Sequence, residues 1–358
     1  MAYPLIILGA GASMDYLRAD DHIEHRINDY SKYRAPLMNE LFDDTRFHTE
    51  LSRHPEIDSL ASDAMNAMSR PNPNFEDYLT NARDTLSKNN PDIFSQLIAL
   101  IFYLADLFSV ISEKFYYPRN HYKDILHKID NYCEGQACFV NLNYDLLLER
   151  SLYDHSKGKF DYLKIDNFVS SNIKIIKIHG ACNWRYQPQT VQAKETTAVK
   201  FFSTFSKELI LGTKKDQICQ KADDITNIGF KPEYSVEENY WTVKLPAIAL
   251  PLKNKPDNYV CDVHHIDILK ENMKKTDRVL IIGWRGVDQY VLKLLKDELG
   301  DRKIPVAVIT KNTTSDVIID YYASTVPQFN IHPEDVYPIG FSKFMKTDGY
   351  EKFFTNRD

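Results

Sequence analysis

Five short apolar runs in this chain each stop at a glycine or a polar residue. That punctuation limits the fold more than any other feature. PLIIL (4–8) runs into Gly9, ACFVNL (137–142) into Asn143, IKIIKI (173–178) into His179, RVLII (278–282) into Gly283 and IPVAVI (304–309) into Thr310. Predominantly apolar runs of this length are the pattern of strands buried on both faces. Helical spacing separates them. YDLLLERSLYD follows Asn143, and Val287, Val291, Leu292, Leu294, Leu295 and Leu299 precede the stop residue Gly300. Ser315 offers a cap for a further helix. Strands alternating with helices predict an α/β chain with a doubly wound parallel sheet. Such sheets bind ligands beyond the carboxyl ends of their strands, where these five residues converge.

Residues 15–135 differ from the rest. They are polar with helical apolar spacing, as at Phe75, Tyr78, Leu79, Ala82 and Leu86, and carry the Pro71-Asn72-Pro73-Asn74 breaker. They read as a helical insertion in a core formed by 1–14 plus 136–358. Residues 185–245, rich in Lys, Glu, Asp and Thr, read as a lid or small subdomain within that core. Ile93–Ile111 is long enough to span a bilayer, but it holds Gln96 and Asp106 and reads as a buried or interface helix. The first residues lack a basic segment and a long apolar run, so a soluble, cytoplasmic protein without membrane attachment is expected. A net charge of −6, from 44 Lys+Arg against 50 Asp+Glu, argues against direct nucleic-acid binding. The five cysteines include no CxxC pair, so neither a disulfide framework nor a zinc site is expected.

Gly9-Ala10-Gly11-Ala12-Ser13 allows a sharp turn and a close backbone approach to a phosphate, with a helix N-terminus beyond it. It does not meet the dinucleotide dehydrogenase fingerprint. Met14 stands where a third glycine or alanine belongs, and no strand precedes Asp29. Other residues admit two roles each. Asn143 suits an N-cap as well as a site amide, Asp145 suits a helix dipole, His179 suits a turn, and Trp284-Arg285 suits an interface.

In order, Gly9-Ala10-Gly11-Ala12-Ser13, Asn141-Leu142-Asn143-Tyr144-Asp145, Lys177-Ile178-His179-Gly180 and Gly283-Trp284-Arg285-Gly286 with Asp288 resemble the motifs of the sirtuin fold. The resemblance is closest to the sirtuin-like (SIR2-like domain) proteins of bacterial antiphage defence. It implies a Rossmann-like sheet with an NAD+ site. Gly9, Ala10, Gly11, Ala12 and Ser13 would hold the diphosphate. Asn143 would hold the ribose and position a water, and His179 would be the general base. Asp145 would face the nicotinamide end. Gly283, Trp284, Arg285 and Asp288 would line the adenosine and phosphate side, with Thr310 and Lys311 closing over the adenine.

The four-cysteine zinc module of protein-deacylating sirtuins has no counterpart among Cys182, Cys219 and Cys261. The resemblance therefore implies an NAD+ glycohydrolase, with NAD+ as substrate and no zinc, serving abortive infection. A protein deacylase and a non-catalytic sensor of NAD+ or ADP-ribose stand as alternatives. The family also implies a homo-oligomer and a HerA-like hexameric ATPase as partner. Phe341, Phe344, Tyr350, Phe353 and Phe354, within 330–358, would serve as docking anchors or as ordinary packing of a last helix.

Overall fold

The computed structural model describes residues 3–18, 30–68, 74–86, 92–186, 245–252, 259–311 and 313–355, and the backbone alone of 189–192, 219–222, 233–235 and 240–243. Most of the 185–245 segment read as a lid lies outside these residues. So do Asp29, Pro71-Asn72-Pro73 and the side chain of Cys219.

Strands β1 (Pro4–Leu8), β2 (Ala137–Asn141), β3 (Ile173–Ile176), β10 (Arg278–Ile282), β11 (Ile304–Ile309), β12 (Phe329–Asn330) and β13 (Val336–Tyr337) form one sheet. Its order is β12-β11-β10-β1-β2-β3, and every pairing is parallel. β13 joins β11 beyond β12, at Val308 and Ile309. Numbered within the sheet, this is the order 3-2-1-4-5-6 of a doubly wound, Rossmann-like fold. The order reverses at β1, which pairs with β2 on one side and β10 on the other. Leu5, Ile6, Ile7 and Leu8 are fully buried, as a central strand covered on both faces requires.

After β3 the chain enters antiparallel pairings. β4 (Gly180–Tyr186) lies between β6 (Cys219–Ala222) and β9 (Pro246–Ile248). β8 (Tyr240–Val243) lies between β5 (Gln189–Gln192) and β7 (Glu233–Ser235).

Between β1 and β2 the chain is helical. The principal element is the helix Asp92–Lys114, long and apolar enough to cross a membrane by composition. Of its most apolar window, 78% is buried inside the protein. Asp106, on its buried face, accepts from His54 at 3.1 Å and pairs with Arg53. A core helix of a globular protein accounts for that arrangement.

The C-terminal aromatic residues are spent on packing. Phe341, Phe344, Tyr350 and Phe354 are buried, and Phe353 packs partly against the same core. Of the two readings given for these aromatics, ordinary packing is the one the structure supports: their apolar area is already removed from water inside the fold. The same segment holds site elements in place. The backbone of Thr310 bonds Tyr337 and Gly340, and Ser342 N donates to Asp15 Oδ2 at 3.0 Å.

Candidate functional site

The carboxyl ends of β1, β2, β3, β10 and β11 open into one cavity of about 500 Å³. Gly9, Ala10, Gly11, Ser13, Asn143, Asp145, His179, Gly283, Trp284, Arg285, Asp288, Thr310 and Lys311 all line it. Ala12 is buried beneath the loop instead. The insertion supplies a wall that the motifs gave no sign of: Pro36, Leu37 and Met38 from one loop, and Asn74, Phe75 and Glu76 from the start of the helix Phe75–Asn81. Arg285 reaches across toward Glu76, at 4.0 Å.

The glycines serve contacts between loops first. Gly9 N donates to Ile282 O at 3.0 Å, and Gly11 N to Gly283 O at 3.2 Å. Gly283 has φ +62°, and a Cβ on it would lie 2.4 Å from Ala12 N. The two strand-end loops at the reversal point are therefore in backbone contact, and this contact shapes the cavity mouth. Gly283→Ala is expected to cost about 1–2 kcal/mol for the left-handed backbone alone, more for the collision with Ala12. Thermal unfolding should show a clear loss of Tm, and an unchanged Tm would disprove the contact.

Asn143 is 7% exposed and sits at the centre of the arrangement. Its amide donates to Gly9 O at 3.0 Å and to Ser13 Oγ at 2.9 Å. Its own N–H bonds Asn141 Oδ1. Both amide donors are thus engaged. Oδ1 has no partner among the described residues and can accept from a water or a sugar hydroxyl. Asn143 does not cap the next helix, which starts at Leu147. Asp145 serves that helix start, with Oδ1 accepting from Leu147 N at 3.1 Å. Ser13 is buried, and its hydroxyl is also within 3.1 Å of Tyr122 OH.

His179 lies between two acceptors. Nε2 is 2.8 Å from Asp288 Oδ2, and Nδ1 is 3.3 Å from the Leu142 carbonyl. Asp288 also caps the helix Gln289–Glu298, its Oδ1 accepting from Val291 N at 3.0 Å. The helical spacing at Val287 put this start two residues early, because the cap lies at Asp288. Trp284 is nearly buried and faces Tyr322, with ring centroids 6.4 Å apart. Lys311 is exposed at the cavity edge.

Beneath the loop is a buried charge cluster that the motifs did not reveal. Lys177 Nζ donates to Asp145 O at 2.7 Å and to Glu149 Oε1 at 3.0 Å, and both side chains of this pair are fully buried. Asn141 donates to the same Glu149 oxygen. Burial pushes the carboxyls of Asp145 and Glu149 up, and the Lys177 ammonium pulls both back. The available signal was Lys177 itself, a lysine directly after the strand Ile173–Ile176 and just before His179.

The cysteines with described side chains, Cys133, Cys138, Cys182 and Cys261, are free and buried. Among the described residues, His127, Asp130 and His155 are close enough together to share an ion, and they lie outside the cavity.

No protein-family model matches the chain, and no curated protein matches it. Solved structures of Sir2 homologues do. A mutant Sir2 homologue in complex with 2′-O-acetyl ADP-ribose is similar at 10% identity over 99% of this chain and 94% of that one, with a TM-score of 0.45. A Sir2 homologue–NAD complex is similar at 9% identity over 98% and 88%, with a TM-score of 0.37. A Sir2 structure with the inhibitor EX-527, 2′-O-acetyl-ADP-ribose and a deacetylated p53 peptide is similar at 12% identity over 99% and 95%, with a TM-score of 0.36. The fold class itself rests on this chain's own strand order.

Proposed function

We propose that this chain is an NAD+ glycohydrolase, cleaving NAD+ to ADP-ribose and nicotinamide. The observation that carries the proposal is the meeting of a glycine turn, an amide with a spare acceptor and an imidazole in one cavity at the sheet's reversal point. Open α/β sheets bind nucleotides at such a point, and the cavity is of ligand size. The glycines at the turn, without side chains, let a diphosphate approach the backbone closely.

The chemistry asks little more. A bond forms between water oxygen and the anomeric carbon, and the bond from that carbon to the pyridinium nitrogen breaks. Its electron pair leaves with nicotinamide, which departs neutral. The proton from water needs an acceptor, and the His179 imidazole is the group in the cavity that can take it. Asn143 Oδ1 can hold the water or a ribose hydroxyl.

Assembly as a homo-oligomer, activation through a HerA-like ATPase and a role in antiphage abortive infection belong to this proposal on the motif resemblance alone.

Purified protein incubated with NAD+, with and without an acyl-lysine peptide, should release ADP-ribose and nicotinamide in both cases. Release only with peptide, giving an acylated ADP-ribose, would make it a deacylase. Saturable binding without product would make it a sensor.

A further inference from the structure

His179 follows β3, whereas Asp288 follows β10, and β1 and β2 lie between them. Three strand intervals amount to roughly 14 Å at the usual spacing. The 2.8 Å contact between these side chains therefore bridges the cavity past the Gly9 loop and Asn143. A ring nitrogen that meets a carboxylate at this distance carries the proton and donates it. Nε2 then has no lone pair to offer. The other nitrogen faces the Leu142 carbonyl, which can only accept.

We propose that Asp288 is a positioning residue that sets the tautomer of His179 and is exchanged for a sugar hydroxyl of the entering nucleotide. This inference rests on the nucleotide assignment above. Without ligand, the Nε2 proton is donated to Asp288. With ligand, the proton moves to Nδ1 and is donated to Leu142 O, and Nε2 becomes the acceptor. Asp288 keeps a place to rest through this exchange, because Oδ1 remains bonded to Val291 N.

Asp288→Asn separates this role from a structural one. Asparagine caps helices as well as aspartate does, so the helix Gln289–Glu298 persists. Its oxygen is taken by Val291 N, which turns its amino group toward His179. That donor requires a lone pair on Nε2. The variant should hold His179 in the Nδ1-protonated form before any ligand is added.

The test is a long-range proton–nitrogen NMR spectrum of [15N]histidine-labelled protein, with the His179 signals assigned by their loss in His179→Ala. Wild type should show a protonated Nε2 that converts to a protonated Nδ1 on addition of ADP-ribose, and Asp288→Asn should show the second form throughout. ADP-ribose should bind the variant roughly fivefold more tightly, since Nε2 already presents its lone pair and only a neutral amide donor gives way to the sugar hydroxyl. An identical tautomer in wild type and variant, or a protonated Nε2 that persists with ADP-ribose bound, would overturn the proposal. Failure of wild type to bind ADP-ribose would refute the nucleotide assignment instead. The ligand-free comparison would still decide the role of Asp288.

Discussion

Asn143→Ala and His179→Ala each lower NAD+ turnover by roughly 10²–10⁴-fold, for His179 the span expected on loss of a positioned acid–base group. The two losses have different causes. His179 supplies the proton acceptor in the proposed step, and its ring enters the cavity from the turn after β3. Asn143 holds the site together. Its amide ties the carbonyl of Gly9 to the hydroxyl of Ser13 and leaves one oxygen for the ligand. Asn143→Asp should be at least as damaging as alanine, because a carboxylate would face the Gly9 carbonyl with no donor between them. Initial rates, with circular dichroism to confirm the fold, check all three variants. Full activity in both alanine variants would refute the site.

Lys177→Met destabilises the protein by about 3–5 kcal/mol, the usual cost of stranding one member of a buried ion pair. Lys177 and Glu149 are fully buried, and the ammonium also bonds Asp145 O on the site loop. Without it the Glu149 carboxylate has no cation among its described neighbours, and Oε2 already lacks a partner among them. The loss should grow with pH. Burial raises the Glu149 carboxyl in the folded state, so the folded form binds a proton that the unfolded form releases. Stability then falls as pH rises through the carboxylate range. Glu149→Gln added to Lys177→Met should recover part of the loss and flatten this dependence. Urea denaturation at several pH values measures both effects. A single-variant cost below 1 kcal/mol would mean that the pair carries little of the stability.

The strands were legible in the sequence because a buried parallel strand has one simple signature. β10 and β11 match their apolar runs residue for residue, and β1 does too. Boundaries beyond strand ends were less legible, for a physical reason. The run YDLLLERSLYD has helical spacing from Tyr144, yet the helix starts at Leu147, with Leu146 at the cap position and Asp145 Oδ1 accepting from Leu147 N just before it. Ser315 is the first helical residue rather than the cap, which falls at Thr314. Within the site, the motifs indicate which residues gather but not what they touch. The two donors of Asn143 are turned onto Gly9 and Ser13, and His179 meets Asp288 from three strand positions away in the sheet. The wall formed by Pro36–Met38 and Asn74–Glu76 carries no motif, because it depends on how the insertion packs.

Hydrolysis, deacylation and sensing all require the nucleotide in the same cavity, so its binding is the central claim. The most direct measurement is calorimetric titration of NAD+ into wild type and into Gly283→Ala, whose extra methyl would push the Gly283 loop against Ala12. Saturable binding at one site per chain, competed by ADP-ribose and lost or greatly weakened in the variant, is the predicted result. Absence of binding to folded wild type, or equal affinity in a folded Gly283→Ala, would contradict it.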